Sequence, residues 1–99
     1  VVQEVPVSKE LLVVTMEECA ELTQVCSKLY RFGSKEYGDF SEKMSAQIKE
    51  EAGDVYCMLQ LLVEHGYVTQ EEMEDRAEVK REKLKKWSKI DVERPLNES

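Results

Sequence analysis

Apolar residues in this chain recur at three- and four-residue steps, and no segment alternates in steps of two for any length. That periodicity confines the fold to helices. The first is expected over 8–32, with Ser8 as N-cap, Gly33 as the stop, and a stripe of Leu11, Leu12, Val14, Leu22, Val25, Cys26 and Leu29. A connector over 34–40 carries the turn signal Gly38-Asp39. The second helix is expected over 41–65, capped by Ser41, ended by Gly66, with Met44, Ile48, Val55, Leu59 and Leu62 as its stripe. Thr69 with Glu72 three residues on is a capping box that opens a third helix over 69–88, and 89–99, with Pro95, reads as a loose tail. The connectors are short, so the expected fold is all-α: one domain over 1–99, an antiparallel bundle of three to four helices.

A chain of 99 residues buries only a modest core, and apolar residues lie on more than one face of the first two helices. A homodimer or homotetramer is therefore expected. With 41% apolar and 35% charged residues the composition is that of a globular domain. A net charge of −7 argues against nonspecific binding to nucleic acid or to an anionic membrane. The run Leu11-Leu12-Val13-Val14 is far too short to span a bilayer, and no basic segment of a signal peptide precedes it. Cys19, Cys26 and Cys57 match no zinc spacing and read as buried, reduced, structural thiols, which points to the cytoplasm.

The informative residues are acids. Glu17-Glu18-x-x-Glu21 and Glu50-Glu51-x-x-Asp54 each direct carboxylates to one helix face. Leu11, Val14, Leu22 and Val25 surround Glu18 at four and seven residues' distance, and Met44, Ile48, Val55 and Met58 surround Glu51. Acids are thus set inside core-facing stripes. Two carboxylates about 5 Å apart repel by roughly 3 kcal/mol at an effective dielectric near 20, before desolvation. Such a group requires protons or cations, and hard oxygen ligands suit Mg²⁺ or Mn²⁺. Antiparallel packing would bring the two acidic turns together at mid-helix. Glu17 and Glu50 read equally well as supporting ligands or as solvated acids. Gly53, between Glu51 and Asp54, costs about 1 kcal/mol relative to alanine inside a helix, which suggests that a neighbour or ligand approaches closely there.

The stretches E-E-C-A-E-L from Glu17 and E-E-A-G-D-V from Glu50 resemble the MazG-like all-α nucleoside triphosphate pyrophosphohydrolases, which carry ExxE on one helix and ExxD on the next. The likeness covers most of the chain. The segment from Lys28 to Gly33 and the basic run from Lys80 to Trp87 look like short phage and bacterial members. For a phage protein, the cytoplasm would be the host's. The resemblance implies that Glu18, Glu21, Glu51 and Asp54 bind Mg²⁺ or Mn²⁺, and that a nucleoside triphosphate is hydrolysed to monophosphate and pyrophosphate.

Lys28 lies two turns beyond Glu21 and Arg31 one turn further, so either is a candidate phosphate contact or an ordinary cation at a helix end. The basic residues near 80–89 read as a solvated face, while the resemblance makes Lys83 and Lys86 phosphate candidates reaching a neighbouring subunit's site. Trp87 and Phe32 are better candidates for stacking on a base than Tyr30, Tyr37 or Tyr56, and Tyr56 falls on the core stripe. His65 beside Gly66 reads as part of a helix end rather than as a nucleophile. Two other readings remain. One is a non-catalytic helical interaction module; the other is a sister all-α pyrophosphohydrolase acting on dUTP or phosphoribosyl-ATP.

Overall fold

The computed structural model describes residues 5–32 and 42–93. These form three α-helices: α1 (Lys9–Phe32), α2 (Glu42–Glu64) and α3 (Gln70–Trp87), with no strand among the described residues. Gly33, the 34–40 connector with Tyr37, the Ser41 cap and Pro95 lie outside them. The chain divides into two compact units, Val1–Tyr67 and Val68–Ser99.

In the first unit α1 and α2 pack antiparallel. Ser8 at the head of α1 meets Tyr67 just past the end of α2, while Lys28 and Phe32 near the tail of α1 line one cleft with Lys43 and Met44 near the head of α2. The expected N-cap is in place, since the Leu11 amide donates to Ser8 Oγ at 3.2 Å. At the same end of the pair, α2 closes in a Schellman turn. The Gly66 amide donates to the Val63 carbonyl and the Tyr67 amide to the Leu62 carbonyl. Gly66 sits at φ +85°, a conformation that side-chain-bearing residues rarely adopt. The turn delivers Tyr67 back to the start of α1: its hydroxyl accepts from the Ser8 amide at 2.7 Å and donates to the Pro6 carbonyl at 3.4 Å.

Among the described residues only Leu11, Val25 and Met58 are buried, all at expected stripe positions or flanks of the acids. Val14, Leu22 and Leu29 are half-buried. The structure corrects several other placements. Leu12 and Tyr56 are exposed, and Cys19, Cys26 and Cys57 are free thiols but exposed rather than buried. The cause is angular. Each stands one residue from a packed position (Leu11, Val55, Glu18, Val25 and Met58, respectively), which turns it by about 100° on an α-helix. Gly53 is also exposed, and a methyl group added there would meet nothing within 4 Å. No group of the described chain therefore accounts for that glycine.

In the second unit the capping box at Thr69 is complete, with the Glu72 amide on Thr69 Oγ1 and the Thr69 amide on Glu72 Oε1, both at 3.0 Å. α3 buries no residue. The described part of the expected loose tail is tied to the helix: Arg81 Nη1 donates to the Val92 carbonyl at 2.5 Å, and the Ile90 amide to Ser88 Oγ. None of the described helices is long and apolar enough to cross a membrane.

Tyr67→Phe removes the hydroxyl that joins the start of α1 to the turn after α2 and is expected to lower stability by about 1 kcal/mol in urea unfolding. Gly66→Ala, forced into the left-handed region, is expected to cost about 1–2 kcal/mol by the same measurement.

Candidate metal centre

Antiparallel packing sets the ascending series Glu18, Glu21 against the descending series Asp54, Glu51. Glu18 comes within hydrogen-bonding range of Asp54, and Glu51 within that of Glu21. Each of the four offers one carboxylate oxygen to a group in which all lie within 4.8 Å of one another. Two of the oxygens, Glu18 Oε2 and Glu51 Oε1, are shut off from water and have no hydrogen-bond partner. The facing groups explain this: ionised carboxylates only accept, so pairs of them cannot satisfy each other.

Glu18 and Glu51 are both driven above the ordinary carboxylate value of 4.5. For Glu18 the main cause is withdrawal from water, followed by repulsion from Glu21, Asp54 and Glu17. For Glu51 it is again withdrawal from water, then Glu21, Asp54 and Glu50. Glu17 and Glu50 thus add negative field from the periphery, but neither places an oxygen in the four-residue group.

Four hard carboxylate oxygens within 4.8 Å of one another are a donor set that could hold a divalent cation such as Mg²⁺ or Mn²⁺. The two orphaned oxygens are the strongest part of that fit, because burial without a donor disfavours the ionised carboxylate. The four sequence candidates are therefore brought together, Glu18 and Glu51 on the packed stripe and Glu21 exposed beside it.

The candidate cations are distributed differently. Lys28 is exposed and lines a cleft of about 220 Å³ with Phe32, Lys43, Met44 and Gln47. Lys43 was not singled out from the sequence. The pairing of Glu18 with Asp54 and Glu21 with Glu51 sums to a constant register, and extending it from Lys28 leads to Met44, next to Lys43. Arg31 is engaged locally: its Nε donates to the Ser27 carbonyl at 3.4 Å and its guanidinium lies 5.1 Å from the Phe32 ring centre. Lys83, Lys86 and Trp87 lie exposed on α3 in the second unit, where the two lysines border a surface depression with Val79 and Glu82. Nearby, Lys85 pairs with Glu82 at 2.9 Å, as expected of a solvated charged face.

Comparison with family models, curated proteins and solved structures gives no match to this chain.

The raised carboxyls give a signed pH dependence. Between 4.5 and the higher native values of Glu18 and Glu51, the folded state holds more protons than the unfolded one. In EDTA, stability should thus fall as pH rises through that interval, and the penalty should be complete above it. A Glu18→Gln, Glu51→Gln double variant should lack this component and unfold at a higher midpoint than wild type in EDTA at neutral pH. Urea unfolding of the two proteins across pH 5–8 checks it, with the difference between them isolating these two groups.

Proposed function

We propose that the chain is a Mg²⁺- or Mn²⁺-dependent nucleoside triphosphate pyrophosphohydrolase of MazG-like type, working as an assembly of identical subunits. The observation that carries this reading is the meeting of an ExxE and an ExxD pair across two antiparallel helices, with one oxygen of Glu18 and one of Glu51 buried and unpartnered. The spacing supports the family likeness, and the orphaned oxygens supply the physical need for a cation.

Glu18, Glu21, Glu51 and Asp54 would hold the ion. When bound, the ion supplies charge neutralisation at the phosphates and lowers the pKa of water. The chain's own groups do the rest. Lys28, with Lys43 beside it in the cleft, offsets phosphate charge on a protein whose net charge is −7. Lys83, Lys86 and Trp87 are the further phosphate and base contacts proposed by the resemblance. Water attacks the α-phosphorus, the bond to the bridging oxygen breaks, and pyrophosphate leaves with that oxygen while the monophosphate remains. The water's proton goes to one of the carboxylates of the group.

The test is incubation with ribo- and deoxyribonucleoside triphosphates, dUTP and phosphoribosyl-ATP with Mg²⁺ or Mn²⁺, scoring monophosphate and pyrophosphate by chromatography. Turnover of at least one substrate, abolished by EDTA and reduced about 100-fold or more in Glu51→Gln, is expected. Absence of turnover across the panel, or full activity in Glu51→Gln, refutes the proposal. Independently of turnover, Mg²⁺ or Mn²⁺ at 100 times its Kd should stabilise wild type by about 2.7 kcal/mol and leave the Glu18→Gln, Glu51→Gln variant unchanged.

A further inference from the structure

The packed stripe divides the helix pair into two sides. Each residue turns an α-helix by about 100°, and reversing a helix reverses the sense of that turn. In an antiparallel pair, residues one step before the stripe therefore share one side. On α1 this row holds Glu21 and Lys28, and on α2 Lys43, Gln47 and Asp54. The opposite side, one step after the stripe, is apolar and carries Leu12, Cys19, Cys26 and Tyr30 with Tyr56 and Leu59, all exposed. The polar side thus runs from the carboxylate group to the cleft between the tail of α1 and the head of α2.

That cleft is lined by Lys28, Phe32, Lys43, Met44 and Gln47 and holds about 220 Å³. Pockets that enclose a whole drug-sized ligand run to roughly 300–1,000 Å³, so this one takes a part of a ligand, such as one flat ring system. Gln47 stands four residues before Glu51, about 6 Å along the helix, and Lys28 seven residues after Glu21, about 10 Å. A nucleotide separates its α-phosphate from its base by a similar length. Among the described residues no hydrogen bond or ion pair engages Lys28, Lys43 or Gln47, and Gln47 is half-buried. Phe32 supplies an aromatic wall. Side chains lean toward the N-terminus of their own helix. Lys28 accordingly leans toward Glu21 and the phosphates, while Gln47 and Lys43 lean away from the acids.

We propose that this cleft receives the nucleobase and selects bases with a carbonyl at pyrimidine C4 or purine C6 (uracil, thymine, guanine) over those with an amino group there (cytosine, adenine). The inference rests on the proposed reaction for its class of ligand. Gln47 offers an amide that both donates and accepts, which matches the paired donor and acceptor on the edge of any base. The amide can turn over to serve either pattern. The ammonium of Lys43 cannot, because it only donates. A carbonyl at the exocyclic position accepts from it, whereas an amino group would face it donor to donor.

The experiment uses the full chain in EDTA with uridine, cytidine, inosine and adenosine as probes, so no hydrolysis enters. Binding is followed through the Gln47 side-chain amide signals in nitrogen-15 NMR spectra, identified by their loss in Gln47→Leu. Uridine and inosine should shift these signals and bind about tenfold more tightly than cytidine and adenosine. Lys43→Gln, a replacement at an exposed position, should erase that difference. With Mg²⁺, kcat/KM for UTP should exceed that for CTP by a similar factor in wild type but not in Lys43→Gln. No shift at Gln47 with any nucleoside overturns the proposal. Equal binding of uridine and cytidine, or a preference that survives in Lys43→Gln, overturns it as well. Uridine-selective binding without turnover of any triphosphate supports the cleft and refutes the reaction alone. Turnover without base preference does the reverse.

Discussion

Glu18 Oε2 and Glu51 Oε1 are withdrawn from water between α1 and α2 with no donor in reach, and each of these residues faces a carboxylate of the opposite helix. Repulsion and desolvation act there in the same direction, against ionisation and against packing. The rest of the helix pair is arranged around that conflict. Apolar burial lies to either side of the acids, at Leu11, Val25 and Met58, rather than among them. The end where α1 begins is closed by a left-handed glycine turn after α2, and the Tyr67 hydroxyl fastens that turn to the head of α1. Favourable contacts near the ends thus hold an unfavourable centre in place.

A centre of that kind is responsive. Protons relieve it, and a divalent cation would relieve it more completely by engaging all four carboxylates at once. The two groups displaced from ordinary carboxylate behaviour are also the two with an oxygen shut off from water. Glu21 and Asp54 stand on the polar side of the pair, in the same row as Lys28 and Lys43.

The helix pair and α3 also differ in what they ask of their surroundings. α3 buries nothing, is capped by its own side chains at both ends, and carries an ion pair along its surface. The pair has an apolar side that water alone would cover poorly. Cys19, Cys26, Tyr30 and Tyr56 are exposed on that side. They form a second stripe beside the first, displaced by one residue along each helix.

Helix type, helix limits and the identity of the four acids were legible in the sequence, because each depends on local chemistry. Apolar period, the cap at Ser8, the stop at Gly66 and the box at Thr69 and Glu72 act within one or two turns, and all appear in the described structure. The acids were recognisable because Glu18 and Glu51 interrupt apolar stripes. Which partner each acid faces was decided only by the antiparallel register, a relation between distant segments that local periodicity does not contain. The same relation placed Lys43 near Lys28 and sent Cys19, Cys26 and Tyr56 outward. Sequence spacing alone leaves a helix face uncertain by about one residue, and one residue is 100° of rotation, enough to exchange a buried position for an exposed one.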